Sequence, residues 1–172
     1  MTKPISRKDL RKLSKVLRKL FGVASGGAFP VLECLDLLPD VFPNCNYIVV
    51  PDHMLPKKTM AQCRQNEFGG WTIEIKEAIY NGAYEKNIGA YLGFICHEIC
   101  HVFLFLIGYT PIATRSFDNG DIPAYRSVEW QAKALCGEVM IPYKESYGMV
   151  PRMLIDKYHV SKGFADTRCS LK

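Results

Sequence analysis

The segment His97-Glu98-Ile99-Cys100-His101 has the residue types and the spacing that metal-dependent hydrolysis requires. Two histidines four residues apart on a helix project from one face, so both imidazoles can reach a single metal ion. Glu98 lies about 100° around the same helix, close enough to act on a water molecule at that ion. The motif therefore predicts His97 and His101 as metal ligands, Glu98 as the catalytic base and one Zn²⁺ ion as the cofactor.

The motif lies within an apolar run at residues 91–107, which Gly108 and Pro111 close as the end of a helix. Burying an unpaired carboxylate in such a run is costly, and this cost favours a metal site over a core helix with two buried histidines. The run approaches the length of a transmembrane span, but three ionisable groups at its centre argue against insertion. We therefore expect a helix buried in a soluble domain, with no membrane partner.

The chain has 172 residues, of which 48% are hydrophobic and 23% charged, as is typical of one compact domain. The basic N-terminus is followed by no uninterrupted apolar segment or cleavage site, so we expect no secretion signal. Seven cysteines without a C-x-x-C pair then predict reduced thiols in a cytoplasmic protein. Cys96 and Cys100 lie about 100° from the histidines and should face away from the metal, which favours a role in filling the core.

The net charge of +5 is concentrated in residues 1–21, which hold eight Lys or Arg against Asp9 alone. Ser6 as an N-cap and leucines at helical spacing predict a basic amphipathic helix over residues 1–22, followed by a domain over residues 23–172. A helix docked by its leucine face is the favoured interpretation, and binding of nucleic acid, an anionic membrane or an acidic partner is the alternative. The residues that would contact such a partner are Lys8, Arg11, Lys12, Lys15, Arg18 and Lys19.

The rest of the chain predicts a mostly helical α+β fold with a small β-sheet packed on the motif helix. Asn87 is the predicted cap of the motif helix, and a turn is predicted at Gly69 and Gly70. We expect strands at 47–50 and 71–76, helices at 30–38 (ending at Pro39), 128–140 (capped by Ser127) and 151–158, a short helix after Ser161, and a loop at 110–125.

A catalytic zinc site normally has a third protein ligand. In the 128–140 helix, Glu129 lies on the apolar stripe, whereas Glu138 is about 180° around and should face water. A carboxylate on a buried face needs a positive partner, which favours Glu129, although a helix N-terminus also stabilises an acid without any metal. The candidates that remain open are Asp118, Asp121, Glu129, Glu138, Glu145 and His159.

The motif and the segment 129–142, which reads E-W-Q-A-K-A-L-C-G-E-V-M-I-P, together resemble the ImmA/IrrE metallopeptidase family. That family has H-E-[LI]-G-H followed by E-x-x-A-x-x-F-A-x-x-L-[LM]-x-P, and the resemblance covers roughly residues 29–164. It implies a zincin-like metallopeptidase domain with Glu129 as the third zinc ligand. Two departures are Cys100 in place of Gly, and Leu135-Cys136 in place of Phe-Ala.

The resemblance also implies a function: a bacterial or phage cytosolic zinc protease that cleaves or inactivates a helix-turn-helix repressor of a mobile element or stress regulon. The alternative is a non-catalytic zinc-containing module that binds a protein partner or nucleic acid through the basic helix. Glu98 favours the enzyme, because a purely structural zinc site does not need a base.

Overall fold

The computed structural model describes residues 2–110 and 127–171. In these residues helices surround a three-stranded mixed sheet, which confirms the predicted α+β, mostly helical fold with a small sheet. The elements are α1 (Arg7–Leu20), α2 (Val31–Asp36), α3 (Leu38–Val41), β1 (Asn46–Val50), β2 (Ala61–Gln65), β3 (Trp71–Lys76), α4 (Glu77–Lys86), α5 (Gly89–Leu106), α6 (Val128–Met140), α7 (Pro151–Tyr158) and α8 (Lys162–Ser170).

The three serine caps are confirmed. The hydroxyl oxygens of Ser6, Ser127 and Ser161 each accept a hydrogen bond from the amide three residues on, at 3.1–3.3 Å. Such a bond satisfies one of the amide groups that a helix start leaves without a partner. Local side-chain chemistry thus sets where α1, α6 and α8 begin.

Two predicted helix boundaries are wrong. Asn87 does not cap the motif helix; it ends α4 in the left-handed conformation, with φ 49°, and Ile88 precedes α5. Asparagine tolerates this conformation better than most residues, so it suits a helix C-terminus as well as an N-terminus. Pro39 lies inside the first turn of α3, where its missing amide is not needed, so it does not end the helical region.

The sheet has the order β1-β3-β2, with β1 parallel and β2 antiparallel to β3. The sequence predicted β1 and β3 but missed β2, although the turn before β3 required an antiparallel partner strand. Two backbone bonds flank the β2–β3 pairing, from the Lys76 amide to the Met60 carbonyl at 3.1 Å and from the Asn66 amide to the Gly70 carbonyl at 3.0 Å. Because antiparallel pairing alternates, the backbone groups of Ala61, Cys63 and Gln65 point to the outer edge of β2.

The motif helix α5 lies at the centre of the fold and packs against α2, α4, α6 and the sheet strands β2 and β3. Helix α5 begins at Gly89, a position where an added Cβ atom would come within 2.7 Å of the His159 carbonyl oxygen. Gly108, with φ 90°, follows its end, and the Tyr109 amide turns back to the Leu104 carbonyl at 2.9 Å. This confirms the predicted helix stop at Gly108, whereas Pro111 and all but the first residue of the predicted loop at 110–125 fall outside the described residues.

Within the described part of the chain, α5 is also the one helix long and apolar enough to cross a membrane. Its residues are mostly covered by the rest of the domain, since 56% of its 18-residue span is buried inside the fold. A helix covered in this way is consistent with the core of a soluble protein.

The N-terminal helix α1 packs against α6 with Leu10 and Leu17 fully buried. Arg18, predicted to face a partner, is instead only 4% exposed. Its guanidinium donates hydrogen bonds of 2.7 Å to the carbonyls of Val139, Ala24 and Gly27. Arg18 therefore joins α1 to the end of α6 and to the segment after α1, and the separation into units 1–22 and 23–172 stays a prediction.

Glu138, predicted to face water, is 2% exposed. Its carboxylate accepts two bonds from the Arg168 guanidinium, at 3.0 and 3.1 Å, and one from Arg11 at 3.3 Å. The helical angle was correct, but α1 and the Arg168 side chain of α8 cover the side of α6 that was assigned to solvent. Periodicity within one helix does not reveal how many of its faces other elements will cover.

Candidate metal centre

The structure brings together the three residues that the sequence proposed as ligands. The Nε2 atoms of His97 and His101 are 3.0 Å apart, and the Glu129 carboxylate reaches both, with Oε2 3.2 Å from His97 and Oε1 3.2 Å from His101. His97 and His101 lie one turn apart on α5, and Glu129 lies in the first turn of α6. Two separate helices therefore direct three donor atoms at one point.

The spacing of these donor atoms fits a tetrahedral metal ion. Zinc–nitrogen and zinc–oxygen bonds of about 2.0–2.1 Å place two tetrahedral ligands about 3.3 Å apart. The two imidazole nitrogens are 3.0 Å apart, and each lies 3.2 Å from a different oxygen of the Glu129 carboxylate. The group His97, His101 and Glu129 can thus hold a metal ion without rearrangement of the backbone.

His101 has the properties of a neutral nitrogen ligand. Burial and the neighbouring charge on His97 lower its pKa to about 4, although Glu129 acts in the opposite direction. The ring lies 5.3 Å from that of Phe105, which in turn packs 4.4 Å from Trp71 on β3. Among the described residues its buried Nδ1 atom has no hydrogen-bond partner. The imidazole is therefore uncharged near neutral pH and held by an aromatic wall.

Glu129 occupies the predicted position but not the predicted environment. Its side chain is 76% exposed, although its stripe companions Ala132, Cys136 and Val139 are buried. The first turn of a helix projects beyond the packed surface more readily than its middle does, so a stripe that is buried further along can begin in solvent. An exposed ligand leaves one side of the centre accessible to water and to a large substrate.

The other third-ligand candidates lie elsewhere or outside the described residues. Glu138 is held by arginines, Glu145 and His159 lie at the surface away from the two histidines, and His159 ends α7 with φ 55°. Asp118 and Asp121 fall outside the described residues. Within the described chain, Glu129 is the one candidate that meets both histidines.

The Glu98 side chain is buried and only 8% exposed. Burial and the negative charge of Glu129 raise the pKa of its carboxyl group to about 8, although the backbone amide of Cys63 acts in the opposite direction. The Cys63 amide is one of the outward-pointing groups of β2, so Glu98 lies between the outer edge of the strand and the ligands. A carboxylate placed there can exchange protons with a molecule bound at the centre.

Sequence reasoning missed the contribution of β2 to this site. The signal was weak, because Ala61-Gln62-Cys63-Arg64-Gln65 holds few of the β-branched residues that mark a strand. The turn at Gly69 and Gly70 was the available clue, since a turn next to one strand implies a second strand on its other side.

A second group of donor atoms lies behind the first. Cys96 and Cys100 face away from the histidines, as predicted, and meet Cys136 of α6 in the core. Their three sulfur atoms all lie within 4.8 Å of one another. All seven cysteines of the chain are free. Cys100 and Cys136, two departures from the ImmA/IrrE pattern, therefore occupy one cluster.

The six basic residues of α1 that were predicted to contact a partner divide into two groups. Arg18 is buried, and Arg11 binds Glu138 and lies 3.5 Å over the ring of Tyr143. The other four are exposed along a groove of about 910 Å³ between α1 and the segment 142–145. These four are Lys8, Lys12, Lys15 and Lys19.

Comparison of the chain with known proteins found no protein-family model that matches it and no significant match among curated proteins. The assignment to the ImmA/IrrE family therefore rests on the two sequence motifs. The chain is an α+β domain whose residues in the middle of α5 and in the first turn of α6 can hold a metal ion.

Proposed function

We propose that this protein is a cytoplasmic zinc-dependent endopeptidase of the ImmA/IrrE type, with a zincin-like fold and a helix-turn-helix repressor as its substrate. The observation that carries this proposal is the convergence of His97, His101 and Glu129 within 3.2 Å of one another, with Glu98 buried next to them. A structural zinc site is normally closed by four protein ligands, whereas three ligands with one exposed side are typical of a catalytic site.

His97, His101 and Glu129 would hold the Zn²⁺ ion, which supplies Lewis acidity that polarises a peptide carbonyl and acidifies a water molecule. Glu98 takes a proton from the attacking water and then passes it to the nitrogen of the leaving amine. The charge of a Zn²⁺ ion held by these ligands would favour the ionised form of Glu98, which burial otherwise disfavours. The carboxyl group can therefore accept a proton and donate it again within one turnover.

The outer edge of β2 supports a peptide as the substrate. Among the described strands β2 pairs only with β3, and the outward backbone groups of Ala61, Cys63 and Gln65 are not used in that pairing. The Cys63 amide already bonds the Glu98 carboxylate. An extended peptide can add to the rest of this edge as a further strand, with its backbone bonded to the outward groups of Ala61 and Gln65. Because Cys63 adjoins Glu98, the added strand would carry its peptide bonds past the base.

The decisive experiment is the substitution Glu98→Gln, assayed with the repressor encoded by the neighbouring gene as substrate. We expect zinc content to stay at one ion per chain and cleavage to fall by about 10²–10⁴-fold, because the amide cannot accept the proton. Glu85→Gln, which changes an exposed glutamate of α4, is the matched control and should cleave as the wild type does. Cleavage by Glu98→Gln at the wild-type rate would contradict the assigned role.

The exposed lysines of α1 favour a second candidate function, in which the domain binds an acidic protein or nucleic acid without hydrolysis. The test replaces Lys8, Lys12, Lys15 and Lys19 together by Ala and leaves the structural Arg18 intact. Salt-dependent binding of duplex DNA or of the repressor that is lost in this variant, together with full regulation by Glu98→Gln, would support the binding module. Binding unchanged by the four substitutions would exclude α1 as the contact surface.

A further inference from the structure

The cysteine cluster of Cys96, Cys100 and Cys136 is independent of the proposed hydrolysis. Two of its members lie one turn apart on α5 and the third lies on α6, two turns after Glu129. The three side chains are buried, and Cys136 donates a weak hydrogen bond to the Gly93 carbonyl at 3.7 Å. The cluster thus lies in a dry region between α5 and α6, the two helices that also carry His97, His101 and Glu129.

The arrangement of the sulfur atoms fits a three-coordinate ion. Bonds of about 2.3 Å to three thiolates place the sulfurs between roughly 3.5 and 4 Å apart. The sulfurs here all lie within 4.8 Å of one another, so small rotations of the side chains would close the site. Simple core filling requires only that the sulfurs touch apolar neighbours, whereas here all three converge on one point.

The net charge that this buried core can accept limits which ion can bind to the three cysteines. All three thiols lie in the buried core, where an uncompensated charge would have no water to solvate it. The guanidinium of Arg18 interacts electrostatically with Cys96, but three carbonyl groups already bind it. Three thiolates around a monovalent or divalent ion would leave net negative charge in a dry interior, which is costly. A trivalent ion leaves none.

We infer that Cys96, Cys100 and Cys136 form a binding site for a trivalent thiophilic metalloid, with arsenite as the representative ligand. Arsenite exists near neutral pH as the uncharged hydroxide As(OH)₃, which can enter an apolar interior when the two helices open transiently. Three As–O and three S–H bonds break, three As–S bonds form, and each hydroxide leaves with a thiol proton as water. The product is a neutral tris-thiolate, and no oxidant, reductant or net proton is required.

The difference in donor atoms keeps arsenite from binding to His97, His101 and Glu129. Imidazole and carboxylate donors suit zinc, whereas a soft metalloid prefers thiolates. Arsenite can therefore be added to the zinc-loaded protein without displacing its zinc. This makes arsenite a cleaner probe than cadmium or copper, which imidazoles also bind.

The test titrates the full-length, zinc-loaded protein with arsenite under reducing conditions, using a monothiol that does not compete as a chelator. Native mass spectrometry should show one arsenic atom per chain, with zinc retained, and X-ray absorption at the arsenic edge should show three sulfur neighbours. Cys136→Ala and Cys100→Ala should lose binding at the concentration that saturates the wild type. Cys34→Ala, which removes an equally buried thiol outside the cluster, should bind as the wild type does.

Circular dichroism of each variant shows whether it is folded, and the absorption measurement on the wild type does not depend on any variant. Three outcomes would overturn the inference: no arsenic bound by the wild type, oxygen or nitrogen neighbours at the arsenic, or equal binding by Cys136→Ala. Loss of binding in Cys34→Ala would do the same, because it would place the arsenic at a different thiol.

Discussion

Helices α5 and α6 carry two clusters of donor atoms that differ in almost every physical respect. The His–Glu cluster, formed by His97, His101 and Glu129, includes a side chain that is 76% exposed. The cysteine cluster behind it is fully enclosed in the core. Only α5 and α6 contribute to either cluster, and the donors in each are close enough to share one ion.

The difference shows that access and donor type, more than proximity, decide what a cluster can do. The His–Glu cluster has an exposed side and a buried carboxylate, that of Glu98, next to it, which are the features that the proposed hydrolysis requires. The cysteine cluster has no comparable opening, and its soft donors suit a tightly held ion rather than an exchanging substrate. One pair of helices can therefore support two separate chemistries.

The largest effect expected concerns the His–Glu cluster alone. His101→Ala removes one of three ligands, so zinc should be lost and cleavage should fall by about 10³-fold or more, since the metal supplies several kcal/mol at the transition state. Zinc content by elemental analysis and the repressor cleavage assay measure this. Arsenite should still bind in a one-to-one ratio, and a parallel loss of arsenite binding would show that the two clusters are not separate.

The next effect tests whether both clusters depend on the position of α6. Glu138→Ala removes the buried partner of Arg168 and should lower the free energy of unfolding by about 3 kcal/mol. Chemical denaturation measures this change. Asp166→Ala, which breaks an exposed ion pair with Lys162, is the control and should cost less than about 0.5 kcal/mol. Equal costs for the two variants would mean that Glu138 does not anchor α6.

A smaller effect tests the access of a peptide to the His–Glu cluster. Gln65→Pro removes an outward amide of β2 but no bond to β3. We expect kcat/KM for the repressor to fall about fivefold, which corresponds to one lost hydrogen bond of about 1 kcal/mol. Gln65→Ala keeps the amide and should cleave normally, and a similar loss in both variants would exclude the backbone of β2 as the contact.

The smallest effect concerns the cysteine cluster in the absence of its ligand. Cys136→Ala should lower the free energy of unfolding by about 1 kcal/mol, as expected when one buried atom is removed from a packed core. Zinc content and cleavage should stay at wild-type values, because the sulfur is not among the His97, His101 and Glu129 donor atoms. A fall in zinc content, measured on the purified variant, would instead show that the clusters are coupled through α6.

Short-range features were largely predictable from the sequence. The caps Ser6, Ser127 and Ser161 act within three residues, and helical spacing alone places His97 and His101 on one face. Periodicity on α6, together with the resemblance, also predicted Glu129 as the third ligand. The reason given for Glu129 was nevertheless wrong, because its side chain is exposed and not buried.

Long-range features were not predictable, and the failures share one cause. Arg11 and Glu138 are 127 residues apart in the sequence, and the Arg18 side chain binds a carbonyl 121 residues away. A charged side chain carries no local signal of a distant partner, so the sequence placed both Arg18 and Glu138 in water. The edge strand β2 was missed for a related reason, since its pairing with β3 and not its composition makes it a strand.

By itself, the sequence determined the pair of histidines, the glutamate between them and the helix that carries all three, because a helix sets the geometry of residues one turn apart. Only the tertiary structure decided which acid completes the His–Glu cluster, which strand edge adjoins Glu98, and that three cysteines from two helices converge. Those outcomes depend on how separate elements pack, and packing is set by the whole chain rather than by any local pattern.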